Sequence, residues 1–169
     1  LQKSIEYFKS SKEVHLLIKS LDHTATIFIH QGQFDKAYKY CKEQYSLSTN
    51  IDAKAGIYQA LGNMALINNI KGNYSQALIK FEELLLVFED INDKESLCHT
   101  YNNIGLAYKN LKNYKEAIKK HSISLNISQE LGDISDISLS LMNIGLSYYN
   151  MNNYSESLKY YKQASTYAN

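Results

Sequence analysis

The stretch NIGLAYKNLKNYKEAI, residues 103 to 118, returns at residue 143 as NIGLSYYNMNNYSESL, a near copy displaced by 40 positions. Self-similarity at a fixed period between 20 and 50 residues marks a stacked array. One supersecondary unit that cannot bury its apolar face alone buries it against its copies. The period extends both ways: Tyr114 has Tyr74 and Phe34 behind it and Tyr154 ahead. Three residues after each aromatic stand Ala37, Ala77, Ala117 and Ser157; nine before each stand Ala25, Ala65, Gly105 and Gly145. Gly inside a helix costs about 1 kcal/mol relative to Ala, so Gly105 and Gly145 imply that two helix backbones approach closely at that slot.

Each repeat reads as a helix pair. Upstream of the turn, Tyr101, Ile104, Ala107, Tyr108 and Leu111 recur at helical spacing, and downstream Tyr114, Ala117, Ile118 and Leu125 do the same. Gly32 and Gly72 mark the turn, where a left-handed backbone is free for Gly, and Asn152 tolerates that conformation. Lys112 suits it poorly, so strain or a different turn is expected there. Asp52, Asp93 and Asp133 read as N-caps between repeats, with Gly132 closing the helix before. The expected helices run near 12–30, 34–48, 53–71, 74–89, 94–111, 114–130, 134–151 and 154–167. Residues 1–10 fall at the phase of a second helix whose first helix is missing.

The pattern resembles the tetratricopeptide repeat family. Tyr101, Ile104, Gly105, Tyr108, Tyr114 and Ala117 carry the resemblance, repeated as Leu141, Ile144, Gly145, Tyr148, Tyr154 and Ser157. The period of 40 is longer than the family's usual one, and the closing Pro is absent, since the chain has no Pro. The second helix carries His121 and Cys41 where a large aromatic is usual. The longer spacing looks like the extended repeats of bacterial peptide-pheromone receptors and regulators and of animal scaffold adaptors. The resemblance implies an all-α, right-handed superhelical solenoid of antiparallel helix pairs. A single array of residues 1–169 is expected, with a partial repeat at 1–10 and repeats at 12–50, 52–90, 92–130 and 132–169.

Composition narrows the function. With 169 residues, 44% of them hydrophobic, the chain can bury a continuous core. A formal charge of +1 argues against a nucleic-acid surface, which needs a clustered basic stripe. YKNLKNYKEAIKK, the most basic stretch, reads at helical spacing as a solvated face. No run of about 18 apolar residues is present to span a membrane, and no leader suggests secretion. Cys41 and Cys98 lie in different repeats without metal spacing, which reads as core packing in a reducing cytoplasm.

No catalytic constellation is found. His23 and His30 are seven apart and His15, His99 and His121 are scattered, none with a ligand-type neighbour at i+4. Ser75 has no adjacent base, and Glu82 and Glu83 belong on a wet face. No metal and no cofactor is expected.

In the family, first helices line the concave wall, so the stripe beside the packing residues should face a groove. In the third repeat that stripe is His99, Asn103, Leu106 and Asn110, one helical face. Across repeats it gives Asn63, Asn103 and Asn143 in one row, begun by His23, and Leu66, Leu106 and Leu146 in the next, begun by Thr26. An Asn side chain offers the donor and acceptor that an extended peptide backbone reciprocates, and an apolar row offers pockets for alternate side chains. The same amides could instead bond a neighbouring helix, because Asn disfavours helix interiors without a partner. Lys19, Asn110 and Asn150 adjoin the rows, and Lys19 could meet a peptide carboxylate.

The expectation is a non-catalytic module whose groove binds an extended peptide or protein, as the sensor part of a bacterial signalling or transcriptional regulator. No nucleic acid or membrane partner is expected for this domain. The alternative is a scaffold that self-associates through its ends, where Leu158, Tyr161 and Ala164 are spaced to pack on a further helix.

Overall fold

A computed structural model of the chain describes residues 12–167, so the partial repeat expected at 1–10 lies outside the described residues. Those residues form helices alone: α1 (Lys12–His30), α2 (Phe34–Asn50), α3 (Lys54–Ile70), α4 (Tyr74–Asp90), α5 (Lys94–Asn110), α6 (Tyr114–Leu131), α7 (Ile134–Asn150) and α8 (Tyr154–Ser165). Every expected helix is present, with ends shifted by no more than two residues. The chain divides into two compact units, one ending at Lys80 and the other beginning at Phe81, so that the division falls inside α4.

One joint serves throughout. The N–H of Gln33 donates to the carbonyl of Phe28 at 2.9 Å, and Asn73 to Asn68, Asn113 to Tyr108 and Asn153 to Tyr148 repeat that six-to-one bond within repeats. Between repeats, Ala53 to Ser48, Asp93 to Phe88 and Asp133 to Ser128 do the same. This is the Schellman motif, which needs a left-handed residue just before the donor. Gly32, Gly72 and Gly132 fill that position, and so do Asp52 (φ 58°), Asn92 (φ 52°), Lys112 (φ 60°) and Asn152 (φ 60°). The turn at Lys112 is therefore the same turn as the others, held with a β-carbon in a region that disfavours it.

Capping corrects one expectation. Asp93 and Asp133 accept from Ser96 N and Asp136 N, as expected of N-caps, and Asn113 and Asn153 accept likewise from Glu116 N and Glu156 N. Asp52 is not a cap. It occupies the left-handed position of its turn, and the cap of α3 is Ala53, which has no side-chain oxygen to offer.

In the first unit α1 packs on α2 and α3, and α2 on α3. Its core is centred on Ile18, Leu21, Cys41, Leu61, Met64 and Ile67. The small slots at Ala25, Ala37, Ala65 and Ala77 have no exposed surface, as close backbone approach requires. In the second unit α5 packs on α6 and α7, and α7 on α6 and α8. Ile104, Leu141 and Ile144 are buried there. Lys94 Nζ at the start of α5 meets Glu130 Oε2 at the end of α6, 2.8 Å away, as an antiparallel pair brings together.

The last helix is less open than its spacing implies. Ala164 is buried against Ile137 and Leu141 of α7, whereas Leu158 and Tyr161 remain exposed. Tyr148 stacks on Tyr160 with centroids 5.5 Å apart, and Phe28 on Tyr40 in the first unit repeats that pairing at the equivalent positions.

Candidate ligand-binding faces

The asparagine row is the first place to look for open hydrogen-bonding capacity, and its three members differ. In the first unit, Asn63 donates from Nδ2 to Oδ1 of Asp22 at 3.0 Å. In the second, Asn143 donates from Nδ2 to Oδ1 of Asn102 at 2.9 Å. Both bonds span 41 residues, one more than the repeat, so each amide reaches the slot just before its own row on the preceding first helix. The half-buried Asn103 side chain makes no hydrogen bond among the described residues.

The rest of the expected stripe divides by depth. Leu66, Leu106 and Leu146 are half-buried, Asn143 is buried, and Lys19, His23, Asn110 and Asn150 are exposed. Thr26 returns its hydroxyl to the carbonyl of Asp22 at 3.0 Å. Lys19 and His23 line a cleft of about 500 Å3 in the first unit, with His15, Ile18 and Asp22 of α1 and residues 53 to 56 and Gln59 opposite. Beside Leu146 on α7, Leu139, Met142 and Tyr149 expose much of their apolar surface.

A buried polar network, not foreseen from the sequence, backs the row in the second unit. His121 of α6 has no exposed surface, and its Nδ1 lies 3.0 Å from the same Asn102 Oδ1 that accepts from Asn143. An amide oxygen can only accept, so the Nδ1 proton belongs to His121 and Nε2 carries the lone pair. Nε2 is buried without a partner. Burial, with the Lys109 ammonium adding to it, pushes the imidazole down to about 4, so the ring is neutral near pH 7. The ring fits because Gly105 faces it: a β-carbon there would stand 2.6 Å from Cε1. The separation of 16 positions between Gly105 and His121 hid the relationship, whose one sequence signal is the coincidence of the repeat's Gly slot with a polar ring at the aromatic slot.

A second buried group joins the same three helices. Cys98 Sγ lies 3.3 Å from Ser124 Oγ, which donates to the Cys98 carbonyl and accepts from Ser140 Oγ. Burial pushes the Cys98 thiol up, and it pushes Cys41 up to about 12, so both cysteines pack as neutral thiols. Among the described residues no group of three or more His, Cys, Asp or Glu side chains is placed to hold a metal ion. No helix among them is long and apolar enough to cross a membrane.

Comparison with known proteins fits this geometry. A family model described as tetratricopeptide repeat matches residues 56–121 and 96–169. No curated protein matches the chain. Among solved structures, BtubC (BKLC) from P. vanneervenii superposes with a TM-score of 0.79 at 20% identity, over 99% of this chain and 70% of that one. The apo form of RapI gives 0.83 at 17% identity, over 96% of this chain and 59% of RapI. A signal transduction ATPase with a tetratricopeptide repeat sensor from Pyrococcus horikoshii gives 0.82 at 19% identity, over 98% of this chain and 26% of that protein. At these identities the likeness is one of fold, the all-α helical-repeat solenoid, and this chain spans 70% or less of each of the three.

Proposed function

Because this chain belongs to the tetratricopeptide repeat family, a family of protein-binding modules, we propose that it recognises an extended peptide or peptide segment through the exposed faces of its first helices. The observation that carries the reading is the state of Asn103. Its row-mates Asn63 and Asn143 spend their amides on neighbouring helices, while Asn103 keeps a donor and an acceptor beside the partly exposed Leu106. That pairing of a free amide with an apolar neighbour suits a peptide backbone and an alternating side chain. Within the second unit, Leu146, Met142 and Tyr149 on α7 supply further apolar contact and Asn110 and Asn150 supply polar contact at the margins, while the first unit offers Lys19 and His23 on a face of its own.

The sensor role fits the similarity to the Pyrococcus protein's tetratricopeptide repeat sensor, and the buried thiols of Cys41 and Cys98 fit a cytoplasmic setting. Titration with a peptide library, read by fluorescence anisotropy, tests the reading. For a binding peptide, Asn103→Ala is expected to weaken affinity about fivefold, the loss of about 1 kcal/mol of hydrogen bonding. Affinity unchanged in Asn103→Ala and in Leu106→Ala would remove the basis for this face.

A scaffold that self-associates is the second reading, and the exposure of Leu158 and Tyr161 on α8 favours it. Sedimentation at several concentrations decides: a mass that rises with concentration in the parent and not in Leu158→Glu supports assembly.

A further inference from the structure

We infer that a trough of the first unit, between α2 and the start of α4, holds the side chain of a tyrosine presented by a peptide, at a site independent of the α5 face proposed above. The inference begins with an exchange at one repeat slot. Phe28, Asn68, Tyr108 and Tyr148 stand 40 residues apart, so Asn68 is the polar member of an aromatic row. The aromatic members show what surrounds that slot. Phe28 stacks on Tyr40, 12 positions on, and Lys36, 8 positions on, sets its Nζ 5.5 Å from the Phe28 centroid. Tyr148 stacks on Tyr160 in the same way. The same two steps from Asn68 lead to Gln76 and Lys80.

Those residues border open space instead of a ring. One cavity of about 230 Å3 is bounded by Asn68, Gln76, Tyr38 of α2 and the ion pair of Asp35 with Lys71. A second, of about 310 Å3, is bounded by Tyr38, Gln76, Ile79 and Lys80. Because they share Tyr38 and Gln76, the two meet between Asn68 and Lys80, the positions that carry a stacked pair in the other repeats. Asn68 keeps only 4% of its surface, yet its Nδ2 has no hydrogen-bond partner. A buried amide left in that state calls for a partner from outside. The fitting ligand is therefore ring-shaped and polar at the end that reaches Asn68. A phenol meets both conditions. Its ring takes the place of the absent aromatic against the Lys80 stem and ammonium, and its hydroxyl both accepts and donates, matching an amide turned either way. Asp35 and Lys71 neutralise each other, so the lining suits an uncharged group. A third cavity, of about 280 Å3, shares Asp35 and Lys71 with the first and continues past Phe34. The trough is longer than one ring, which assigns the tyrosine to a peptide.

The test is an NMR titration of the full chain with the peptide acetyl-Gly-Gly-Tyr-Gly-Gly-amide. The expected result is saturable shifts at the Asn68 side-chain amide and the Gln76 N–H. Replacing the peptide's tyrosine by phenylalanine should weaken binding about fivefold, the loss of one hydrogen bond. N-acetyl-L-tyrosinamide should bind more weakly than the peptide, and equal affinities would overturn the peptide source. Asn68→Phe should abolish binding and raise the melting temperature, because the chain then fills the slot as Phe28 fills its own. Asn68→Ala leaves the space open and removes the amide, so it should bind the tyrosine and phenylalanine peptides equally. Asn103→Ala should leave this binding unchanged, which separates the site from the α5 face. No saturable shift at Asn68, or a preference for tyrosine that survives in Asn68→Ala, would overturn the inference.

Discussion

Asn143 Nδ2 and Asn102 Oδ1 stand 2.9 Å apart, and the same oxygen receives the Nδ1 proton of His121. One amide oxygen of α5 therefore binds a side chain from α6 and another from α7. Asn143→Ala removes one of those bonds and should cost about 1 kcal/mol of stability. Asn103→Ala, whose amide makes no such bond, should stay within about 0.5 kcal/mol of the parent. Urea melts of the two variants check the contrast, and equal losses would contradict it.

The burial of His121 predicts an acid-sensitive fold. Its folded value of about 4 lies below the ordinary 6.5, so the folded state disfavours the proton that the unfolded chain accepts. Stability contributed by the neutral ring is complete above pH 6.5 and is lost progressively as pH falls toward 4. The loss reaches about 3 kcal/mol at the rate of about 1.4 kcal/mol per pH unit. The difference in unfolding free energy between parent and His121→Gln, followed from pH 7.5 to 4, isolates this group from the carboxylates. A difference that stays constant with pH would show that His121 titrates normally.

Gly105 and Gly145 occupy one repeat slot but should respond differently to alanine. At Gly105 a β-carbon falls 2.6 to 2.7 Å from three atoms of the buried His121 ring. At Gly145 its nearest neighbours, the Ser157 carbonyl and the edge of Tyr161, are 3.3 Å away. Gly105→Ala is expected to destabilise by about 2 kcal/mol, overpacking outweighing the gain in helix propensity. Gly145→Ala should lie within about 1 kcal/mol of the parent. Thermal melts of both variants measure it.

Lys112 holds φ 60° in a turn where Gly32 and Gly72 hold the same conformation at no steric cost. Lys112→Gly should raise stability by about 1 kcal/mol, since the left-handed conformation costs a β-carbon residue about that much. A fall in the urea midpoint would contradict this.

The helices were legible because apolar spacing and turn residues recur with one period and agree with each other. The site was only partly legible, because the decisive contacts cross between slots. Reading Asn63, Asn103 and Asn143 as a row showed that the amides repeat, but not that Asn63 and Asn143 each lean toward the slot before the row, where the chain has Asp22 and Asn102. That lean depends on how one helix is turned against the next, which no single row records. The misplaced cap at Asp52 had a simpler cause: it lies 41 residues before Asp93, and the residue 40 before is Ala53. The neighbours of His121 at helical spacing test for a metal ligand and carry no sign of a ring seated on Gly105.

The seven Schellman joints carry a consequence for how such a chain can change in length. Each joint begins at a fixed point of the helix before it, and one inserted residue rotates everything downstream by about 100° about that helix axis. A single insertion within α5 would thus swing the slots of His121 and Asn143 away from Asn102 together. Growth or shrinkage of the gene is expected to proceed in units of 40 codons, duplicated or lost between one left-handed residue and its equivalent in the next repeat.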